Sequence, residues 1–146
     1  MKEMVIGIIG ESCTGKSTIV KALEEKIDIT TYSGKDYLKL AGNETIAKNK
    51  FEKLLADSGE NTIVYIITEK EHLDLLPADA YRVLVTEKIE TIKARFRKRM
   101  HGNLPKPVEM MLEKKHHMFD DGDYDLHLDA CSLDESVHKI LKMIDQ

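Results

Sequence analysis

Eight consecutive residues, Gly10-Glu11-Ser12-Cys13-Thr14-Gly15-Lys16-Ser17, match the pattern G-x-x-x-x-G-K-[ST] in full. Two glycines at this spacing let the backbone curl until successive N–H groups point into one concavity. A helix starting near Lys16 would add the positive end of its dipole. A loop of that shape suits the phosphates of a nucleoside triphosphate. Lys16 is expected to reach the β- and γ-phosphates, and the Ser17 hydroxyl to ligate Mg²⁺. Gly10, Ser12, Cys13, Thr14, Gly15 and Thr18 complete the expected binding loop. A random chain of this length holds such a match on the order of 0.5% of the time. Here it also lies between a buried-strand pattern and an amphipathic-helix pattern, the context the motif requires. Cys13 would sit beside Lys16 and the helix N-terminus, a setting that activates thiols, so its oxidation is expected to block nucleotide binding.

Other clusters carry less chemistry. The basic run Lys93-Ala94-Arg95-Phe96-Arg97-Lys98-Arg99 is interleaved with Ile92, Phe96 and Met100. It therefore reads as the polar part of an amphipathic helix rather than a nucleic-acid stripe. Asp120 to Asp125 suggests a calcium loop. Aligning Asp121, Asp123 and Asp125, however, puts Leu126 where glycine is required and Ser132 where the bidentate glutamate belongs, so the pattern fails. The six histidines, His116-His117 among them, show neither the i,i+4 spacing nor the cysteine partners of a zinc site. They read as solvent-exposed or lid-adjacent. Met110, Met111 and Met118 read as adaptable core packing.

The elements that must position the loop follow from periodicity. Met4 to Ile9 is a continuous apolar run, the pattern of a strand buried on both faces. Ile19, Val20, Leu23 and Ile27 recur at helical spacing, and Ile27 to Tyr32 is a second strand candidate. Ile46, Ala47, Phe51, Leu54 and Leu55 mark another amphipathic helix, stopped by Ser58-Gly59. Thr62 to Thr68 is the strongest strand signal, and Arg82 to Thr86 a fourth strand. The next helix carries Ile89, Ile92, Phe96 and Met100 on one face. Gly102, Pro105 and Pro107 break it, with Pro107 suited to open a further helix that runs to about Phe119. Tyr124 to Leu128 is a fifth strand. Ser132-Leu133-Asp134-Glu135 has the spacing of a capping box before a last helix with Leu133, Val137, Ile140, Leu141 and Ile144 inward. Five strands separated by helices imply right-handed crossovers and a five-stranded parallel sheet covered on both faces, a three-layer α/β/α architecture.

The composition narrows the class further. The chain has 146 residues, 42% hydrophobic and 33% charged, which fits one globular domain and neither a disordered nor a fibrous protein. The net charge of −4 argues against a nucleic-acid-coating protein. The longest apolar run is too short to cross a bilayer, and Met1-Lys2-Glu3 does not lead into a signal peptide. Two cysteines make no disulfide framework, so a cytoplasmic protein, a monomer or weak dimer, is expected.

With this loop and layout, the chain resembles the small P-loop kinases: shikimate and gluconate kinases and the nucleoside and nucleotide kinases such as adenylate and cytidylate kinase. No N-K-x-D segment suggests a GTPase, and a transport or remodelling ATPase needs a longer chain. The resemblance implies a P-loop nucleoside triphosphate hydrolase fold spanning residues 1–146. It also implies a substrate-covering helical segment at about 33–59 and a lid at about 100–107. Tyr124 to Ala130 and Leu133 to Val137 look like the family's last strand, adenine-edge turn and final helix. Thr91 to Pro107 looks like its arginine-bearing helix and lid, which makes Arg95 and Arg99 candidate stabilisers of the transferring phosphoryl group. Ser33-Gly34-Lys35-Asp36-Tyr37 follows the second strand, where several members carry an acid, so Asp36 is the candidate to orient or deprotonate the acceptor.

The chain departs from the family in two places. Thr68 and Glu69 stand where an aspartate often ends the third strand. Thr30 to Gly59 holds Lys35, Lys39, Lys48, Lys50 and Lys53 but no arginine, unlike enzymes that grip an anionic acceptor with a bidentate fork. The expected activity is transfer of the γ-phosphoryl of Mg-ATP to a small-molecule acceptor, a neutral hydroxyl or a nucleotide held differently. The alternatives are a nucleotide-binding regulatory or accessory protein with degenerate chemistry, and a slow NTPase.

Overall fold

The computed structural model describes residues 4–57 and 62–145. The expected helix stop at Ser58-Gly59 lies outside them. Five strands, β1 (Met4–Ile9), β2 (Thr30–Ser33), β3 (Thr62–Ile67), β4 (Tyr81–Thr86) and β5 (Leu126–Asp129), form one all-parallel sheet in the order β2-β3-β1-β4-β5. The two most apolar strands lie side by side near the middle, in register from Met4 opposite Thr62 to Ile9 opposite Ile67. Alternation along them feeds two cores. Val5, Ile9, Ile63, Tyr65 and Ile67 face one layer, and Ile6, Ile8 and Val64 face the other.

The first layer is built on α2 (Glu44–Ala56), whose Ala47, Phe51 and Leu55 are buried against the sheet. The second is α1 (Lys16–Glu24) with α5 (Leu133–Ile144), packed through Ile19, Val20, Leu23, Val137 and Ile140. Between β4 and β5 come α3 (Ile89–Arg99) and α4 (Lys106–Lys115), separated by residues 100–105. Two 3-10 turns, Asp36–Leu40 and Lys70–Leu75, fill connections that periodicity leaves blank.

Several expectations shift for local reasons. The second strand starts only at Thr30, because the Ile27 N–H still bonds the Leu23 carbonyl and completes the end of α1. The fourth begins one residue early, at Tyr81. Helix α4 ends at Lys115 rather than near Phe119: His116 is extended, His117 has φ 69°, and Phe119 turns into the core at 2% exposure. Pro107 is its second residue, behind Pro105 as N-cap. The fifth strand starts at Leu126, since the Tyr124 hydroxyl donates to the Phe119 carbonyl and holds that residue in the turn. Ser132 does cap α5, accepting from the Glu135 N–H, but Leu133 points out of the core. Ile46, in the first turn of α2, and Met110 and Met111 on α4 are likewise exposed, whereas Met118 packs against the first core.

Candidate active site

The sheet's carboxyl edge carries the phosphate-loop motif. The Gly10 N–H donates to the Ile67 carbonyl, so the loop begins where β1 and β3 end together. A Cβ on Gly10 would lie 2.4 Å from the Val85 carbonyl oxygen, which leaves room for glycine alone. Gly15 caps α1 with φ 97°, a left-handed conformation that L side chains avoid. Inside the curl, the Thr14 hydroxyl donates to the Glu11 carbonyl at 2.9 Å. The Lys16 Nζ donates to the carbonyls of Gly10 and Glu11, at 2.6 Å each. Burial disfavours the ammonium and lowers the Lys16 pKa to about 8, partly opposed by the Cys13 and Glu11 charges.

Among the described residues, three cavities border this loop: one of about 840 Å³ reaches it at Glu11, beside His116 and His117, and two others share Cys13 and Gly15. Of these two, the smaller, about 180 Å³, is lined by Ser12, Lys16, Ser17, Thr68 and Arg99 among others. The larger, about 330 Å³, has an apolar floor of Ile19, Val85, Leu128 and Leu133, with Glu87 and Arg95 on its rim. Cys13, Gly15, Thr18 and Arg99 border both, so the two form one groove, a polar pit continuing into an apolar slot. Arg95 and Arg99, one helical turn apart on α3, both face it. Arg95 is held in place: its Nη1 donates to the Cys13 carbonyl at 3.0 Å, and its Nη2 lies 3.5 Å from the Glu87 carboxylate.

The motif residues and both arginines therefore converge. Asp36 stands apart from them and lines neither part of that groove. Its Oδ2 accepts from the Ser33 N–H at 2.8 Å, closing the turn after β2, and Lys39 approaches its other oxygen at 3.8 Å. At the end of β3, Thr68 lines the smaller cavity, while the Glu69 carboxylate takes up the Lys115 ammonium at 3.4 Å. Among the described residues, no carboxylate lines the smaller cavity, and no cluster of three or more His, Cys, Asp or Glu could hold a metal by itself. The Ser17 and Thr68 hydroxyls remain as oxygen donors of the kind Mg²⁺ accepts, in combination with phosphate and water.

Periodicity and motif spacing overlook two features. Glu11 occupies a variable position of the motif, yet it is 7% exposed. Its Oε1 lies 2.9 Å from His116 Nδ1, and its Oε2 accepts from the His117 N–H at 3.0 Å. His116 is thus mostly buried rather than solvent-exposed, because it closes onto this loop from the chain that follows α4; of the other histidines expected to be solvent-exposed or lid-adjacent, His117 is exposed, whereas His72 is buried beside Tyr37. Glu87, the partner of Arg95, is the second. An acid inside a motif expected to take an anion is the one sequence signal that could have drawn attention to Glu11.

Neither a protein-family model nor a curated protein sequence matches the chain. Solved structures do. A sugar kinase from a Janibacter species is 15% identical, aligned over 99% of this chain and 95% of its own, with TM-score 0.68. Shikimate kinase from Bacteroides thetaiotaomicron is 14% identical over 98% of this chain and 99% of its own, with TM-score 0.63. Deoxyadenosine kinase from M. mycoides, with bound dATP, is 15% identical over 98% of this chain and 100% of its own, with TM-score 0.61. The chain has the α/β fold of the small P-loop kinases, its parallel sheet in the order β2-β3-β1-β4-β5. Among the described residues no helix is long and apolar enough to cross a membrane.

Proposed function

We propose that this chain, as a single domain, is a phosphotransferase that moves the γ-phosphoryl of ATP to a small-molecule acceptor. The observation that carries the reading is the convergence of Lys16, Ser17, Thr18 and Arg99 on one polar pit opening into an apolar slot. The pit suits a polyphosphate and the slot suits a flat base. Gly10 and Gly15 leave the loop free of side chains where phosphates approach, and the N-terminus of α1 points its free N–H groups at them. The Lys16 ammonium, now spent on two backbone carbonyls, is the group that exchanges those partners for phosphate oxygens. Arg95 and Arg99 add positive charge on the far wall, where phosphoryl transfer spreads negative charge over the equatorial oxygens. Ser17, with Thr68 beside it, would hold Mg²⁺, which supplies charge neutralisation between the phosphates when bound.

The acceptor enters from the side covered by residues 33–57, where Asp36 is the proposed orienting acid. Residues 100–107 serve as the lid that excludes water as a competing acceptor. In the test, Lys16→Ala abolishes acceptor-dependent ADP formation across a panel of nucleosides, nucleotides and sugar acids. Turnover retained by that variant would defeat the proposal.

One observation favours a second reading, a nucleotide-binding regulatory protein with degenerate chemistry. The two acids nearest in sequence to the family's catalytic positions are engaged elsewhere, Asp36 with Ser33 and Glu69 with Lys115. ATP binding without turnover of any acceptor would select it.

A further inference from the structure

A buried acid in an anion-binding loop poses an electrostatic problem. Glu11 is 7% exposed, and its own carbonyl is one of the two that hold the Lys16 ammonium at 2.6 Å. A negative carboxylate there opposes the entry of a polyphosphate into the same loop, and little solvent is present to screen it. Both of its oxygens are taken up by one short stretch of chain. His116 Nδ1 lies 2.9 Å from Oε1, and the His117 N–H donates to Oε2 at 3.0 Å. Since an ionised carboxylate offers only acceptors, the first contact requires the imidazole proton on Nδ1. The second is bought with strain: His117 has φ 69°, in the left-handed region that a residue with a side chain occupies at a cost. Two residues on, Phe119 is anchored in the core at 2% exposure, and Lys115 just before is paired with Glu69. The stretch is therefore held against the sheet's carboxyl edge from both ends.

We infer that His116 is a positioning residue for the phosphate loop. It donates to the Glu11 carboxylate, draws it away from the phosphate side and holds the loop's first turn, so that Lys16 and the loop N–H groups face the incoming phosphates. This rests on the reading of the loop as a polyphosphate site, although not on the identity of the acceptor. Charged groups near the pair include Lys16 inside the loop, and Glu87, Lys88, Glu90, Asp123 and Asp129 around the cavity that Glu11 and His116 share; Asp120, in the same cavity, pairs with the His117 ring at 2.8 Å and leaves His116 as the imidazole facing Glu11.

The test is calorimetric titration of the full chain with Mg-ATP and, separately, with inorganic tripolyphosphate. His116→Ala exposes an unshielded carboxylate and weakens both by about tenfold or more. Combining it with Glu11→Gln removes the charge and restores affinity to within about threefold of wild type, which loss of packing alone would not do. Thermal midpoints recorded alongside establish that each variant is folded. If His116→Ala is not, His116→Leu, which keeps volume without a donor, takes its place with the same expected outcomes. Tripolyphosphate affinity equal to wild type in the single variant, or a double variant as weak as the single, overturns the role of His116. A wild-type chain that binds neither ligand overturns the polyphosphate reading itself, and this inference with it.

Discussion

Between Gly10 and Thr18 the chain is held by its own backbone. Lys16 and Thr14 bond loop carbonyls, Arg95 bonds the Cys13 carbonyl, and Gly10 fits only because it lacks a Cβ. Between Asp36 and Ala56 the means are different. That segment is anchored by aromatic packing: Phe51 is fully buried and meets Tyr65 edge-on at 4.9 Å and Tyr32 at 5.5 Å, with Tyr37 tilted beside it at 6.1 Å. Its outer face carries lysines and the exposed Leu38 and Ile46. Backbone geometry prescribes the residues of the first region almost one by one. Packing prescribes only the inner face of the second and leaves its outer face open to vary. The proposed phosphate site is for that reason readable from a motif, whereas the surface proposed to meet an acceptor is particular to the chain.

Removing the anchor of the second region gives the largest expected effect. Phe51→Ala leaves a cavity against Tyr65 and should cost about 3–5 kcal/mol in denaturant unfolding. If the two regions are as separate as described, it should lower ATP affinity far less than it lowers stability. An equal loss in both would erase the distinction.

The second prediction concerns the loop alone, without nucleotide or magnesium. Burial holds the Lys16 pKa at about 8, below the value of 10.5 for a free lysine. The unfolded chain then binds more protons between these values, so stability gains from this group as pH rises from about 8 to 10.5. Wild type should gain about 3 kcal/mol on Lys16→Met over that interval. Tyrosine ionisation works in the opposite direction near its upper end, because burial raises the Tyr65 pKa, and the difference between the two proteins cancels it. A constant difference across the range would mean that the ammonium is not desolvated.

Asp36→Asn sharpens the functional side. Acceptor-dependent turnover should fall by about tenfold or more with ATP affinity retained; unchanged turnover removes Asp36 from the mechanism. Smallest is Lys48→Ala, which deletes an exposed pair with Glu44 at 3.6 Å. It should shift stability by less than about 0.5 kcal/mol. A larger loss would show that the outer face of α2 is less free than its exposure indicates.

Much of the fold was legible in the chain itself. The apolar runs of β1 and β3 are buried on both faces and so needed no partner to be recognised. The Gly10–Ser17 motif carries its own turn geometry. Local reading failed where a distant contact decides conformation. Ile27 fits both the helical spacing and the strand candidate, and its bond to Leu23 settles it at the end of α1; Met110, Met111, Ile46 and Leu133 read as core but face outward, and Leu133 lines the apolar slot instead.

A parallel α/β sheet and a tightly curled glycine loop follow from local residue types alone, because period, glycine placement and the Lys-Ser pair act over a few neighbouring residues. Packing across the sheet is what brings Arg95 and Arg99 into one groove with that loop and leaves Asp36 closing its own turn outside it. It alone brought His116 against Glu11, 105 positions earlier in the chain. Those contacts depend on how layers pack across a sheet, which no local pattern of residue types encodes.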